Sequence, residues 1–309
     1  MIVGATLLAA GIGISAVGAV TGLVTSLGWA GLDASRKALG AHVDAVPLVV
    51  LLSLGQLPLF GIWAATTSPW PSLDPAYVRP AAISLALNVV ANVLFMVAVR
   101  RSPLSLVIPL LAFVPVLSTL VAQPLLGELP GPIQLAGIAT VVVGALSLGA
   151  DGAEGRGPVA MARAILREPG TLPMLGVAAA WSLTLIFDKQ AVRSASVASH
   201  AMVLNAGLVV CLGGWLLARG RLSRLAAVRK TPRAFVAAVL FSVVALGFQL
   251  LAVQHLLVGV LEAVKRAIGI TMSVIVGRVM FDEAVTRAKV LAVVLLVAGT
   301  VAIVLGPPA

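Results

Sequence analysis

Apolar runs of about twenty residues, separated by short polar clusters, fill most of the chain. Roughly 20 apolar residues at 1.5 Å each cross about 30 Å of hydrocarbon. The pattern therefore predicts spans at 17–38, 43–65, 80–99, 103–126, 131–150, 171–191, 198–218, 234–254, 258–281 and 287–306. Residues 1–16 extend the first helix or lie in the interface; they carry no basic stretch, and the apolar run to Trp29 is too long for a cleavable signal peptide. The longest connection, 151–170, contains Pro158 to Arg167, where Arg163 and Arg167 share a helical face and predict a short interfacial helix.

The polar landmarks repeat. Trp29 and Lys37 stand eight apart near the end of span 1, as do Trp181 and Lys189 near the end of span 6. Leu126-Gly127-Glu128 precedes Gly144 by sixteen positions from the glutamate, and Phe281-Asp282-Glu283 precedes Gly299 by the same sixteen. The two offsets, 152 and 155 residues, nearly agree. The chain thus reads as a first five-span repeat over 1–150, a connection over 151–170 and a second repeat over 171–309. Five crossings are an odd number, so the second copy inserts upside down relative to the first. The expected fold is all-α, an integral membrane protein of about ten transmembrane helices arranged as two inverted five-helix repeats. Such halves can exchange conformations and open a central site to either side in turn, an arrangement that serves transport.

Composition agrees with the pattern and excludes several classes. Hydrophobic residues make up 60% of the chain and charged residues 10%, and mean hydropathy is +1.12, outside the range of soluble domains. The net charge of +10 gathers between apolar runs, where anionic headgroups and the positive-inside rule account for it, so nucleic acid is not an expected partner. A single cysteine, Cys211, excludes an internal disulfide and cysteine-based metal frameworks. No cofactor or metal is expected. Three scattered histidines without an HExxH or nucleophile–base arrangement argue against an intramembrane enzyme acting on lipid.

Four segments carry a family resemblance: WAGLDASRKAL from Trp29, SPLSLVIPLLAFVPVLSTLVAQPLLGEL from Ser102, WSLTLIFDKQAV from Trp181 and VKRAIGITMSVIVGRVMFDE from Val264. Together they resemble EamA-type members of the drug/metabolite transporter superfamily. The resemblance implies ten spans, a central cavity between halves and alternating access, and leaves open a substrate range from amino acids to phosphorylated metabolites and drugs. Lys265-Arg266 is similar to the pair that sugar-phosphate translocators of the superfamily carry in their ninth helix; the basic residue expected in span 4 is absent.

Candidate substrate-binding residues lie where polarity interrupts the spans. Span 9 holds Glu262, Lys265 and Arg266, and central Lys and Arg residues cost about 5–7 kcal/mol together before compensation. Glu262, three and four positions earlier, can neutralise one charge and leaves a net cation for a carboxylate or phosphate. The alternatives are snorkelling, since Lys265 lies roughly 10 Å into the span, and pairing between helices. Gly269, Ser273 and Gly277 continue the Arg266 face and suit close packing. In span 3, Ser84, Asn88 and Asn92 share a face that turns inward, for structural bonding or for substrate. Span 8 contributes Gln249, with Ser242 seven positions before it; His255 reads as interfacial.

Trp29 and Trp181 can stack on a ligand or serve as belt and packing residues. Asp33 with Arg36 or Lys37 forms a local ion pair. Glu128 and Glu283 cap or brace helix ends, and Pro109 and Pro115 bend span 4. Glu262 is the candidate acid for proton coupling, but its neighbouring cations keep it ionised, which favours exchange or facilitated movement.

The functional expectation is a secondary transporter of a small anionic or zwitterionic metabolite in the lipid bilayer of a bacterial inner (plasma) membrane. The alternatives are an exporter of neutral amino acids or hydrophobic drugs and, more distantly, an intramembrane enzyme. Loops after odd-numbered spans hold 16 of the 21 Lys and Arg residues, so charge places both termini outside, opposite to the superfamily's usual orientation.

Overall fold

A computed structural model describes residues 15–40, 42–67, 69–102, 107–151, 167–281, 286–307 and 309. The expectations for residues 1–14, for an interfacial helix over 158–167 (apart from Arg167) and for Glu283 fall outside them. The secondary structure of the described residues is entirely helical. In chain order the helices are α1 (Ala16–Gly40), α2 (Ala45–Ala65), α3 (Pro75–Arg101), α4 (Val114–Leu126), α5 (Pro132–Asp151), α6 (Thr171–Ala191), α7 (Val197–Leu208), α8 (Pro232–Ala252), α9 (Val258–Phe281) and α10 (Arg287–Leu305). Five segments, Ala45–Ala65, Pro75–Arg101, Thr171–Ala191, Val197–Ala218 and Pro232–Ala252, are long and apolar enough to cross a membrane; three shorter apolar helices accompany them.

Local chemistry explains the departures from the expected boundaries. α3 starts five residues before the expected 80 because Asp74 accepts a hydrogen bond from the Ala76 amide at 2.8 Å and Pro75 needs no amide partner at the first helical position. The fourth span enters as a 3-10 turn, Ile108–Phe113, before α4; Pro109 and Pro115 each stand in the first two positions of their piece, where a missing N–H costs no helical bond. α4 ends on Gly127 at φ 71°, a left-handed cap that glycine adopts without strain. α7 widens into a π-turn at Val209–Gly213 and resumes over Gly214–Ala218.

Large apolar side chains face outward on many helices, including Ile62, Leu120, Leu172, Val210 and Val294. A surface of that kind suits lipid, where a helix satisfies its backbone groups internally. Inside, α1 packs on α8, α3 on α6, α5 on α10 and α2 on α7, while α9 packs on both α1 and α4, and α4 also packs on α6. Hydroxyl groups tie neighbours together: Thr25 Oγ1 on α1 donates to the Ala245 carbonyl on α8 at 2.7 Å, and Ser182 Oγ on α6 to the Val114 carbonyl on α4 at 3.2 Å.

The seam between α5 and α10 depends on glycine. A Cβ added at Gly137 would lie 2.7 Å from the Gly299 carbonyl oxygen, and one at Gly144 would lie 3.1 Å from the Ala292 oxygen. Backbone cannot yield as a flexible side-chain tip can. Gly137→Ala is therefore expected to part the helices and destabilise the protein by about 1–3 kcal/mol, typical of overpacking. Thermal unfolding in detergent checks this; an unchanged midpoint would show that the seam tolerates a methyl group.

Candidate functional site

Three interior helices converge on a polar cluster. Gln249, in the last turn of α8, uses one oxygen to accept two hydrogen bonds: from Trp29 Nε1 on α1 at 2.9 Å and from Lys265 Nζ on α9 at 2.6 Å. Both partners are donors, so the amide oxygen must face them. Lys265 also donates to Glu262 Oε1 at 2.7 Å, one turn back on α9, and its Nζ lies 5.5 Å from the centre of the Trp29 ring. Arg36 Cζ approaches the same ring at 5.7 Å and pairs with Asp33 at 3.4 Å on the exposed end of α1.

Charge does not balance within this cluster. Glu262 and Lys265 neutralise one another, and Arg266 follows directly on the same helix. Its Nε is buried and has no hydrogen-bond partner. The Lys265 ammonium is held inside by an acid, an amide from a neighbouring helix and an aromatic face, the contacts of inter-helix pairing; snorkelling would have left it toward water. Insertion of the three charges is eased by pairing, and one cation is left over.

The remaining expected site residues lie elsewhere. Asn88 Nδ2 donates to the Ser84 carbonyl at 3.2 Å and Asn92 Nδ2 to the Asn88 carbonyl at 2.8 Å, both along their own helix. Trp181 on α6 packs against Phe95 on α3, ring centres 6.0 Å apart. Trp29 and Trp181 thus occupy comparable helix pairs with unequal partners, Gln249 in one and Phe95 in the other. An open hollow of about 430 Å³ lined by Pro232, Arg233, Val236, Ala237 and Leu240 shares no residue with the charged cluster, and its apolar wall offers little to hold a polar solute.

Two further constellations join helices distant in sequence. Glu128, in the turn after α4, forms an ion pair with Lys189 of α6 at 2.5 Å and accepts the Val258 amide at 2.8 Å, so it braces the start of α9 as expected. Lys189 also donates to the Leu256 carbonyl at 2.8 Å. The second constellation escaped sequence reasoning. Asp188 Oδ1 accepts from Ser84 Oγ and lies 3.2 Å from His200 Nε2, while His200 Nδ1 lies 3.2 Å from Tyr77 Oη. All four are buried. Two sequence signals were available, an acid at 188 inside an apolar run and a histidine at 200 in the first turn of another. Among the described residues no group of three or more His, Cys, Asp or Glu could hold a metal ion.

A helical body with large apolar residues outward and helices long and apolar enough to cross a bilayer is an integral membrane protein. Residues 16–149 match the model of the EamA-like transporter family, which bears out the resemblance to the drug/metabolite transporter superfamily, so over this part the chain is similar to membrane transporters of small molecules. No curated protein matches. A solved structure, titled only "Crystal structure of protein", is 18% identical, and the alignment covers 92% of this chain and 95% of that one with a TM-score of 0.67. At that identity the likeness concerns the fold.

Proposed function

We propose that the chain is a secondary transporter of a small anionic or zwitterionic metabolite, built from ten spans as two inverted repeats over 1–150 and 171–309 and working by alternating access in a bacterial inner membrane. Helix pairing supports the repeat. Advancing every helix by five exchanges the α1–α8 and α3–α6 pairs, exchanges α1–α9 with α4–α6, and returns α2–α7, α4–α9 and α5–α10 to themselves. The close approach of Gly137 to Gly299 likewise becomes that of Ala292 to Gly144 when each position is shifted by 155 residues. An exchange of halves about an axis in the membrane plane is the motion such symmetry permits.

The observation that carries the substrate class is the buried Arg266 Nε, which has no hydrogen-bond partner, beside the Glu262–Lys265 pair. A carboxylate or phosphate would balance the charge, with the guanidinium able to grip two oxygens. A thermal-shift screen of the purified protein tests this with inorganic phosphate, phosphorylated sugars, carboxylates, amino acids and cationic drugs. At a hundred times its Kd a bound ligand stabilises by about 2.7 kcal/mol. Anions are expected to stabilise the protein, and Arg266→Gln to abolish their effect. Stabilisation by neutral amino acids or hydrophobic drugs alone, undiminished in Arg266→Gln, would replace this reading with that of an exporter in which the cations are structural.

A further inference from the structure

We infer that Asp188 and His200, set between Tyr77 and Ser84, form a proton-binding site distinct from the charged cluster on α9, and that its occupancy drives the exchange of the two halves. The inference deepens the transporter reading and depends on it for the coupling step.

The hydrogen-bond inventory allows two charge states in one geometry. With a neutral imidazole carrying its hydrogen on Nε2, His200 donates to Asp188 and accepts from the Tyr77 hydroxyl at Nδ1. With a second proton on the ring, Nδ1 donates to Tyr77 Oη, and only the phenolic hydrogen must turn away. Ser84 Oγ donates to Asp188 in both states. One proton therefore enters or leaves without breaking a contact, while the net charge of the group changes between −1 and zero.

Burial makes that change consequential. His200 and Ser84 are wholly enclosed, and Asp188 and Tyr77 are 2% and 4% exposed. No other cation compensates the carboxylate among the described residues: Lys189, its neighbour in sequence, is occupied by Glu128, and Arg79 and Arg193 are exposed. Among the described residues, the side chains of α3 that hydrogen-bond the pair are Tyr77 and Ser84. A structural clamp could be made from amides and hydroxyls, which are cheaper to bury than an uncompensated acid.

Position supplies the coupling. Tyr77 and Ser84 belong to the first proposed half, Asp188 and His200 to the second, so the group spans the surface along which α3 packs on α6. It also lies near an aqueous end. Tyr77 is the third residue of α3 and His200 the fourth of α7, about 6 Å or less of helix rise from each start. Beside them the α2–α3 connection is tied down by the Ser196 amide, which donates to the Pro69 carbonyl at 2.8 Å. Protons taken up from one face and released to the other would change the charge across the interface that must slide.

The test uses the full chain, ¹⁵N-labelled at histidine, in lipid nanodiscs. Its three imidazoles are His42, His200 and His255, and His200→Gln assigns the relevant signal. The expected result is a His200 signal that changes protonation state with pH, and a change that differs in Asp188→Asn. In proteoliposomes supplied with an anion that stabilises the protein, the ratio of uptake driven by an inward proton gradient to exchange at equal pH should fall at least about tenfold in the same variant. A His200 signal that keeps one protonation state, or is unmoved by Asp188→Asn, overturns the proton site, as does an unchanged uptake ratio. If Asp188→Asn does not fold, Tyr77→Phe takes its place under the same criteria. Absence of flux from the unsubstituted protein at every pH instead overturns the transporter reading and leaves the titration to decide the proton site.

Discussion

Lys265→Met should destabilise the protein more than removal of the whole ion pair does. The single substitution leaves Glu262, 6% exposed, without the ammonium that neutralises it, and strips Gln249 of one of two donors. Breaking one partner of a buried pair costs about 3–5 kcal/mol, because a desolvated charge is left uncompensated. In Glu262→Gln with Lys265→Met, neither member of the pair is left without the other and Arg266 stays the surplus cation it is in the parent, so most of that loss should be recovered. Thermal unfolding of the four proteins forms a double-mutant cycle that isolates the coupling. Ligand shifts measured on the same samples separate fold from recognition, since the double variant is expected to fold yet respond less to anions. A single variant as stable as the parent, or a double variant no better than the single, would show that the pair carries no such charge balance.

The tie at Glu128 is the second point of large effect. One carboxylate there receives both the Lys189 ammonium and the first amide of α9, so it fastens α4 and α6 to the helix that carries the charged cluster. Glu128→Gln weakens both contacts, and Glu128→Ala removes them while exposing Lys189 to a partner set of one carbonyl. Coupling energies of about 1–3 kcal/mol shift populations roughly 5–150-fold. A cysteine placed at Ala122, buried on α4 one turn below the tie, reports on this in a Cys211→Ser background. Its labelling by a membrane-impermeant maleimide should accelerate at least about fivefold in Glu128→Ala. Equal rates with and without Glu128 would mean that the tie stabilises the fold without closing it.

Legibility in the sequence followed the range of the interactions. The apolar runs at 171–191 and 258–281 coincide with α6 and α9, since length and hydropathy are local properties. The Glu262–Lys265 pair was legible for the same reason, being one helical turn apart. The earlier start of α3 was signalled by Asp74-Pro75, a capping residue followed by proline, although the hydrophobic window placed the boundary at 80. Interactions across the bundle were not legible. Ser84 shares a face with Asn88 and Asn92, yet it alone reaches across to Asp188, 104 positions away, while the two amides turn back onto their own helix. His200 looked like one of three scattered histidines because its partners lie 12 and 123 positions away on α6 and α3. The link from Trp29 to Gln249 spans 220 positions and depends on α1 packing against α8.

Trp29 meets a glutamine and an ammonium, whereas Trp181 meets a phenyl ring. Under the proposed exchange of halves the scaffold maps onto itself, but the lining does not. The two faces of the carrier would therefore differ in half-saturation concentration. Without an energy source, detailed balance still requires equal Vmax/KM in both directions, so a tighter grip from one side is matched by slower turnover from that side. A pseudo-symmetric frame with unequal furnishings would thus set the tempo of each direction, while the gradients of the transported species set which way net flow runs.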